Sequence, residues 1–274
     1  MIPAAFEYVR AESVDQVSSL LSEYGDEAKL LAGGHSLIPL MKYRLAAPGV
    51  IIDVGRLAEL SYIREEDEFL AIGSLTRHRI VETNELVSLN SGLLAAATKE
   101  VGDPQVRHCG TIGGALAHGD PASDIPSAIL ALRGSLVIQG PSGKREESAD
   151  DFFKGFLETS LEPDEILIEI RVPKLPDSTW SFQKFNRRAQ DWAIVGASIS
   201  VSDSQCGVGL VNMDSKPVRA TDLENAIKNG ASALEASELA TEGLEPPSDL
   251  NATTEYREHL ARVLTRRGLE EAGC

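Results

Sequence analysis

Two glycine pairs, far apart in the chain, constrain its fold and function more than any other feature. Gly33-Gly34 lies between a predicted strand and a predicted helix, and Gly113-Gly114 follows Thr111. Glycine lets a backbone approach a ligand closely and adopt positive φ. Small loops with hydroxyl groups and free N–H groups can hold a phosphate. Two such loops in one chain predict a diphosphate held from both sides, as in a bound dinucleotide.

The charge balance excludes some partners. The chain has 26 Lys and Arg against 42 Asp and Glu, which gives a formal net charge of −16. A nucleic-acid partner would require a basic stripe, and an anionic membrane surface would require basic clusters. A dinucleotide remains compatible with an acidic chain, because backbone N–H groups alone can hold its phosphates.

The cysteines indicate the compartment. The chain has three cysteines, which are widely spaced: Cys109, Cys206 and Cys274. Their odd number and wide spacing predict neither a disulfide framework nor a metal or iron–sulfur site. The expected setting is therefore reducing and intracellular. The first residues lack the pattern of a signal peptide, and no apolar run is long enough to span a bilayer.

The order of predicted elements indicates an α/β start followed by more antiparallel structure. Residues 1–55 predict strand–helix–strand–helix–strand, with a capping box of Ser13 and Gln16 opening the first helix and Gly25 ending it. Two strand-like runs then predict a hairpin. A proline-bearing break at 173–177 is the predicted internal boundary. In the last helix Arg257, together with Arg262, Arg266 and Arg267, is expected on a solvated face.

Each motif also has a plainer interpretation. A strand-to-helix turn explains the first glycine pair as well as a phosphate does. Asp53, about twenty residues further on, fits the ribose-binding acid of a Rossmann fold. However, the loop reads Gly-Gly-His-Ser and a hairpin follows, so a Rossmann-type nicotinamide module is the alternative. Asp124 either accepts a hydrogen bond from a ribose hydroxyl or caps a helix.

No side-chain constellation for catalysis or metal binding is evident. None of the histidines has metal-ligand spacing, although His35 and His118 lie within the glycine motifs and are expected to line the site. We find no nucleophile elbow, triad or carboxylate pair. The chemistry is therefore expected to belong to a cofactor that the protein positions.

Longer stretches around these motifs carry a family resemblance. Residues 32–39 read Ala-Gly-Gly-His-Ser-Leu-Ile-Pro, residues 103–107 lead into Gly110–Gly114, and Asp191-Trp192-Ala193 follows later. Together they resemble the FAD-binding medium subunit of molybdenum hydroxylases, a group that includes the medium subunit of aerobic carbon monoxide dehydrogenase and the flavin domain of xanthine dehydrogenase. The resemblance covers nearly the whole chain.

The resemblance implies an α+β chain with a vanillyl-alcohol-oxidase (PCMH)-type FAD-binding fold. Two α/β subdomains, 1–55 and 56–173, would clasp FAD. Residues 174–274 would form a C-terminal α+β domain of the carbon monoxide dehydrogenase flavoprotein type.

The resemblance also implies the cofactor-binding residues. The two glycine motifs would hold the diphosphate, Asp124 the adenosine ribose, and Leu167 the flavin through its backbone, with Lys184 and Trp192 near the ring. Ala115 stands where the family usually has Asn or Ser, which puts one flavin contact in doubt. The full expected set is Leu30, Leu31, Ala32, Gly33, Gly34, His35, Ser36, Leu37, Val101, Gly110, Thr111, Ile112, Gly113, Gly114, Ala115, His118, Asp120, Ser123, Asp124, Leu167, Lys184 and Trp192.

The implied function is electron transfer within a larger enzyme. A large subunit with a molybdenum cofactor would oxidise carbon monoxide, an aldehyde or an N-heteroaromatic compound. A small subunit with two [2Fe–2S] clusters would relay electrons to FAD on this chain, and quinone, oxygen or NAD would accept them. The complex would be a cytoplasmic dimer of heterotrimers that can lie against the inner face of the membrane. A stand-alone flavin-dependent reductase is the alternative of a different class.

Overall fold

A computed structural model describes residues 2–203 and 205–274, and the chain begins with a small parallel sheet. The strands follow the order β1-β3-β2, and both pairings are parallel. The strand–helix alternation predicted for this part of the chain is confirmed. Its elements are β1 (Glu7–Arg10), α1 (Val14–Tyr24), β2 (Ala28–Leu31), α2 (Leu37–Tyr43) and β3 (Val50–Asp53).

The ends of α1 show how local sequence sets an element. Ser13 Oγ accepts from the Gln16 N–H, and Gly25 ends the helix with a φ of 52°. The predicted capping box is incomplete, because the Gln16 side chain accepts from the Glu12 N–H at 2.7 Å rather than from Ser13. The apolar face of the helix packs into a core that includes Val17 and Leu21.

The middle of the chain forms an antiparallel sheet with helices packed on it. The strand order is β4-β5-β10-β6-β7, and the predicted hairpin is the antiparallel pair β4–β5. The elements are β4 (Ile63–Glu65), β5 (Phe69–Gly73), α3 (His78–Thr83), α4 (Glu85–Asn90), α5 (Gly92–Lys99), α6 (Pro104–Cys109), α7 (Ile112–His118), α8 (Asp124–Ala131), β6 (Ser135–Gly140), β7 (Gly143–Ser148), α9 (Ala149–Phe152), β8 (Phe153–Gly155), β9 (Glu158–Thr159) and β10 (Ile166–Pro173).

The last part of the chain is an antiparallel meander, β11-β12-β13-β14, covered by helices. Its core is separate and contains residues from Ile194 to Ala272. The elements are β11 (Thr179–Phe185), β12 (Val195–Ser202), β13 (Gln205–Val211), β14 (Val218–Arg219), α10 (Thr221–Lys228), α11 (Ala233–Ser237) and α12 (Thr254–Glu271).

Helix α8 joins the second and third sheets, and every one of its residues is buried. A Cβ on Gly207 would overlap the Ala131 carbonyl, and one on Gly209 would overlap the Ser127 carbonyl. The Oγ atoms of Ser127 and Ser198 lie 2.7 Å apart. Because β13 approaches the α8 backbone this closely, the C-terminal meander holds α8 in place, and with it Asp124, the first residue of that helix.

The expectation for Arg257 is wrong. Its side chain is fully buried, donates to the Ile194 carbonyl, and pairs with Asp249 Oδ2 at 2.8 Å. It shares the buried face of α12 with Leu260 and Leu264, which stand three and seven residues further along. In the part of the chain that the structure describes, no helix is both long and apolar enough to cross a membrane.

Candidate functional site

A cleft of about 520 Å³ opens between the first glycine motif, the second glycine motif and the connection from β11 to β12. Its walls come from the end of β2 and the start of α2, from segments between β5 and α8, and from residues around β10 and β11. A β-bulge between Leu167 and Glu169 interrupts β10 where the strand reaches the cleft. Bulges of this kind commonly redirect side chains at sites.

Nearly all of the predicted cofactor-binding residues meet at this cleft. The two that do not line it are Ile112, which is buried in the core, and Asp120, which lines a neighbouring cavity. Those that do are Leu30, Leu31, Ala32, Gly33, Gly34, His35, Ser36, Leu37, Val101, Gly110, Thr111, Gly113, Gly114, Ala115, His118, Ser123, Asp124, Leu167, Lys184 and Trp192.

The first glycine motif offers unpaired backbone donors. Within the described residues, the N–H groups of Gly33, Gly34, His35 and Ser36 donate no hydrogen bond. Ser36 is the N-cap residue of α2, but its side chain makes no capping bond. Free N–H groups beside a small hydroxyl residue are the donors that bind phosphate oxygens. This motif can therefore hold an anion without any charged side chain.

The second glycine motif is a helix start whose N–H groups are already used. Thr111 is the N-cap residue of α7, and its Oγ1 accepts from the Gly114 N–H at 3.1 Å. The N–H of Gly113 donates to the Ser74 carbonyl at 2.9 Å, and that of Ala115 to the Thr111 carbonyl at 3.1 Å. The expectation that both motifs present free N–H groups therefore holds for the first motif only.

The two glycines of the second motif have different surroundings. A Cβ on Gly113, which is buried, would lie 2.6 Å from Ser74 O and 2.8 Å from Ser74 Cα. A Cβ on Gly114, which is exposed, would meet only Thr111 Oγ1, at 2.7 Å. Gly113 is thus required for packing inside the protein, whereas Gly114 leaves room for a ligand in the cleft.

The two motifs also touch each other. A Cβ on Gly33 would overlap the Cys109 carbonyl and would lie 2.8 Å from Gly110 Cα. The two loops meet through backbone atoms, so rotation of a side chain could not relieve the overlap. The absence of a side chain at Gly33 therefore sets the spacing between the two loops, as close approach requires.

Asp124 and Lys184 form a buried ion pair at the wall of the cleft. Their Oδ2 and Nζ atoms are 2.7 Å apart, and each side chain is only 6% exposed. Lys184 also donates to the Glu100 carbonyl at 2.9 Å, while Asp124 Oδ1 has no partner in the described part of the chain. Burial raises the pKa of Asp124 to about 6, against the opposing effect of Lys184. The N-cap position of α8 belongs to Ser123, so the capping interpretation of Asp124 is wrong.

Trp192 stands between two cavities. It lines the cleft and also a second cavity of about 390 Å³ that contains Asp120. Its side chain is 57% exposed, so it does not belong to the core. Asp191, next to it, accepts from Arg188 at 3.1 Å. An exposed indole at the mouth of a cleft offers an aromatic face to a planar ligand.

Sequence reasoning missed several lining residues, of which His78 and Ser74 are the most informative. His78 is buried, and burial together with Arg107 lowers its pKa to about 4. Both residues precede or begin α3 and reach the cleft through the antiparallel bridge between Arg77 and Thr111. Nothing in the local spacing signals a contact across more than thirty residues. Glu165, Leu161 and Gln190 were missed for the same reason.

Comparison with known families matches two models to almost the whole chain. Residues 4–175 match the FAD binding domain in molybdopterin dehydrogenase, and residues 180–272 match the CO dehydrogenase flavoprotein C-terminal domain. Among the described residues, no three His, Cys, Asp or Glu side chains come together as a set that could hold a metal ion.

Individual relatives and solved structures agree over the full length. The chain is 38% identical to the carbon monoxide dehydrogenase medium chain of Hydrogenophaga pseudoflava, with 99% of this chain and 98% of the relative covered. It is 33% identical to the nicotine 6-hydroxylase medium subunit of Paenarthrobacter nicotinovorans, with 98% of each covered. A structure of the Hydrogenophaga pseudoflava carbon monoxide dehydrogenase superposes with a TM-score of 0.94 at 39% identity, covering 99% of this chain and 98% of that one. Quinoline 2-oxidoreductase from Pseudomonas putida 86 gives a TM-score of 0.92 at 31% identity, covering 99% and 98%.

Proposed function

The chain belongs to the family of FAD-binding medium subunits of molybdenum hydroxylases, and from that premise we propose which of its residues hold FAD and how. Its fold is the PCMH-type FAD-binding fold followed by the carbon monoxide dehydrogenase flavoprotein C-terminal domain. The chain is the FAD-carrying electron-transfer subunit of an oxidoreductase complex. Bound FAD supplies the redox chemistry, and the protein supplies binding and orientation.

The residues of the cleft fit this cofactor. The single observation that carries the assignment is the row of N–H groups from Gly33 to Ser36, which donate no hydrogen bond in the described part of the chain and match the acceptor oxygens of a diphosphate. Gly114 lines the same cleft and leaves space there for a ligand. Asp124 Oδ1 is buried and has no partner within residues 2–203 and 205–274, which suits a ribose hydroxyl as donor. Polar atoms that lack a partner inside the protein but line a cleft favour a bound polar ligand.

We propose three further contacts with the cofactor from residues that line the same cleft. Leu167 lies at the bulge of β10, where a backbone group can turn toward the flavin. Trp192 offers an exposed indole at the mouth of the cleft. Ala115 lines the cleft with a methyl group, and its N–H is used inside α7, so it contributes shape rather than a hydrogen bond.

The partners follow from the family. The complex contains a small iron–sulfur subunit with two [2Fe–2S] clusters and a large subunit with the molybdenum cofactor, arranged as a dimer of heterotrimers. This chain passes electrons from the clusters to an external acceptor, and the large subunit holds the substrate. The substrates that we propose to test are carbon monoxide, aldehydes and N-heteroaromatic compounds, in keeping with the names of the relatives.

We further propose the division of the chain and its location. The boundaries 1–55, 56–173 and 174–274 are supported because each segment contains its own sheet. The short gap between the two matched family models, at residues 176–179, lies near the last boundary. We place the complex in the cytoplasm, where it can lie against the inner face of the membrane.

Isolation of the native complex tests this function. An affinity tag on this chain should retain two further chains, and the eluate should contain molybdenum, iron and acid-labile sulfide, with FAD in equal amount to this chain. FAD without partner chains or molybdenum would instead favour a stand-alone flavin reductase. Nicotinamide dinucleotide in place of flavin would favour a Rossmann-type module and would overturn the assignment.

A further inference from the structure

Lys184 reaches the cleft from a different part of the chain than the carboxylate that it contacts. It lies on β11 of the C-terminal meander, whereas Asp124 begins α8 and Glu100 follows α5. Its ammonium group donates to Asp124 Oδ2 at 2.7 Å and to the Glu100 carbonyl at 2.9 Å. A single side chain therefore ties the C-terminal domain to two helices of the preceding domain.

The buried ion pair is expensive as a stabilising device. Removing two charges from water costs free energy that their attraction only partly returns, so apolar replacement of such a pair is often neutral or stabilising. Lys184 and Asp124 are each 6% exposed, and Asp124 Oδ1 has no partner among the residues that the structure describes. A costly pair with one carboxylate oxygen that no described protein group contacts by a hydrogen bond is better explained by what the carboxylate binds.

The charges around Asp124 determine its ionisation. Lys184 on β11 favours the carboxylate form, whereas burial and Glu100 at the end of α5 favour the neutral form. Of the elements packed on α8, β13 brings glycine backbone and β12 the Ser198 hydroxyl, which carry no charge. The titratable side chains on the elements packed against α8 are Lys99 on α5, His118 on α7, Asp150 and Asp151 on α9, Cys206 on β13 and Arg219 on β14, where Arg219 pairs with Asp150. The other titratable side chains that line the cleft with Lys184 and Asp124 are Lys29, His35, His78, His118, Glu165 and Asp191.

We propose that Lys184 is a positioning residue that holds Asp124 ionised and oriented for FAD, so that the C-terminal domain controls the affinity of the cleft. This inference rests on the proposed FAD site at Asp124. Lys184 acts through the carboxylate: its removal leaves a buried acid with no counter-charge, which takes up a proton and no longer accepts a hydrogen bond as a carboxylate.

Titration of FAD into the deflavinated complex, between pH 5 and pH 9, tests the proposal. The proteins compared are the wild type, Lys184→Met, Lys184→Arg, Asp124→Asn and the double variant Lys184→Met/Asp124→Asn. Lys174→Met is the matched control, because Lys174 does not line the cleft and forms its own ion pair, with 3.1 Å between Lys174 Nζ and Glu65 Oε1. Flavin fluorescence gives the dissociation constant, and thermal unfolding of the flavin-free proteins reports on the fold.

The expected result is a shift of the pH profile rather than a uniform loss. Asp124 is ionised above its pKa of about 6, so wild-type affinity should fall as the pH drops through 6. Loss of Lys184 raises that pKa, so Lys184→Met should bind at least about tenfold more weakly at pH 7 and approach the wild type towards pH 9, where both proteins carry the carboxylate. Lys184→Arg should restore most of the affinity, and Asp124→Asn should bind weakly at every pH.

Two outcomes separate failure of this inference from failure of the site. If Lys184→Met weakens binding by the same factor at every pH, or not at all, while Asp124→Asn still weakens it, Lys184 is not the positioning residue. If Asp124→Asn binds FAD like the wild type, the carboxylate is not part of the cofactor site, and both proposals fall at Asp124. If the double variant is as stable as the wild type but binds like Asp124→Asn alone, the pair serves binding rather than stability.

Discussion

Alanine substitution at the two adjacent glycines of the second motif should affect two different properties: the stability of the fold at Gly113 and the affinity for FAD at Gly114. In Gly113→Ala the new methyl would lie 2.6 Å from Ser74 O and 2.8 Å from Ser74 Cα, both backbone atoms. Favourable contacts between carbon atoms lie at about 3.5–4.0 Å, so the end of β5 must move by roughly 1 Å. Overpacking of this kind costs about 1–3 kcal/mol of folding free energy. For a chain of this size that corresponds to a Tm lower by roughly 2–12 °C.

Gly114→Ala should leave the fold almost unchanged. Its methyl meets only the Thr111 hydroxyl, which can rotate away at the loss of one capping bond worth about 1 kcal/mol. Replacing a helical glycine by alanine stabilises the folded state by roughly 0.5–1 kcal/mol. The net change in stability is therefore close to zero. The methyl instead occupies the cleft, and a comparable overpacking cost of about 1–3 kcal/mol on the ligand weakens FAD binding roughly 5- to 150-fold.

Thermal unfolding of the flavin-free proteins and fluorescence titration with FAD distinguish the two cases. The reasoning predicts a low Tm for Gly113→Ala and a wild-type Tm with weak FAD binding for Gly114→Ala. Gly49→Ala is a suitable control, because its methyl would meet Glu27 no closer than 3.4 Å, an ordinary contact. Equal losses of Tm in both variants, or wild-type FAD affinity in Gly114→Ala, would refute the separation of packing from binding.

Three further predictions follow from the same structure. FAD should be bound non-covalently, so acid precipitation should release all of the yellow colour into the supernatant, and flavin in the pellet would contradict this. Gly209→Val should lower the Tm and weaken FAD binding together, because its side chain would drive β13 away from Ser127 and disturb the helix that begins with Asp124; an unchanged Tm would show that this contact is not restrictive. Trp192→Ala should leave the Tm within about 1 °C, because the indole is 57% exposed, yet should weaken FAD binding by roughly fivefold, corresponding to about 1 kcal/mol; a large loss of Tm would show that the indole contributes to packing.

Elements with strong local signals could be predicted from the sequence. The capping hydroxyl of Ser13 and the positive φ of Gly25 bracket α1, and both are local properties of the chain. The hairpin β4–β5 follows from an acidic turn between two strand-like runs. The first glycine motif was placed correctly between a strand and a helix for the same reason.

Features that depend on distant contacts could not be predicted in this way. The second glycine motif is the first turn of α7, and its N–H groups are occupied by Ser74 and Thr111 rather than free. His78 enters the cleft only because residues 77 and 111 pair across the fold. Arg257 is different, since its spacing of three and seven residues from Leu260 and Leu264 places it on the buried face, although its charge favours a solvated one.

The division of labour between this chain and its partners can be tested most directly by anaerobic reduction of the flavin. The isolated chain loaded with FAD should be bleached by a chemical reductant such as dithionite but not by carbon monoxide, an aldehyde or an N-heteroaromatic compound. Addition of the iron–sulfur and molybdenum subunits should restore bleaching by the substrate of the complex. Bleaching of the isolated chain by one of these substrates at the rate of the full complex would contradict the assignment of this chain as an electron-transfer subunit.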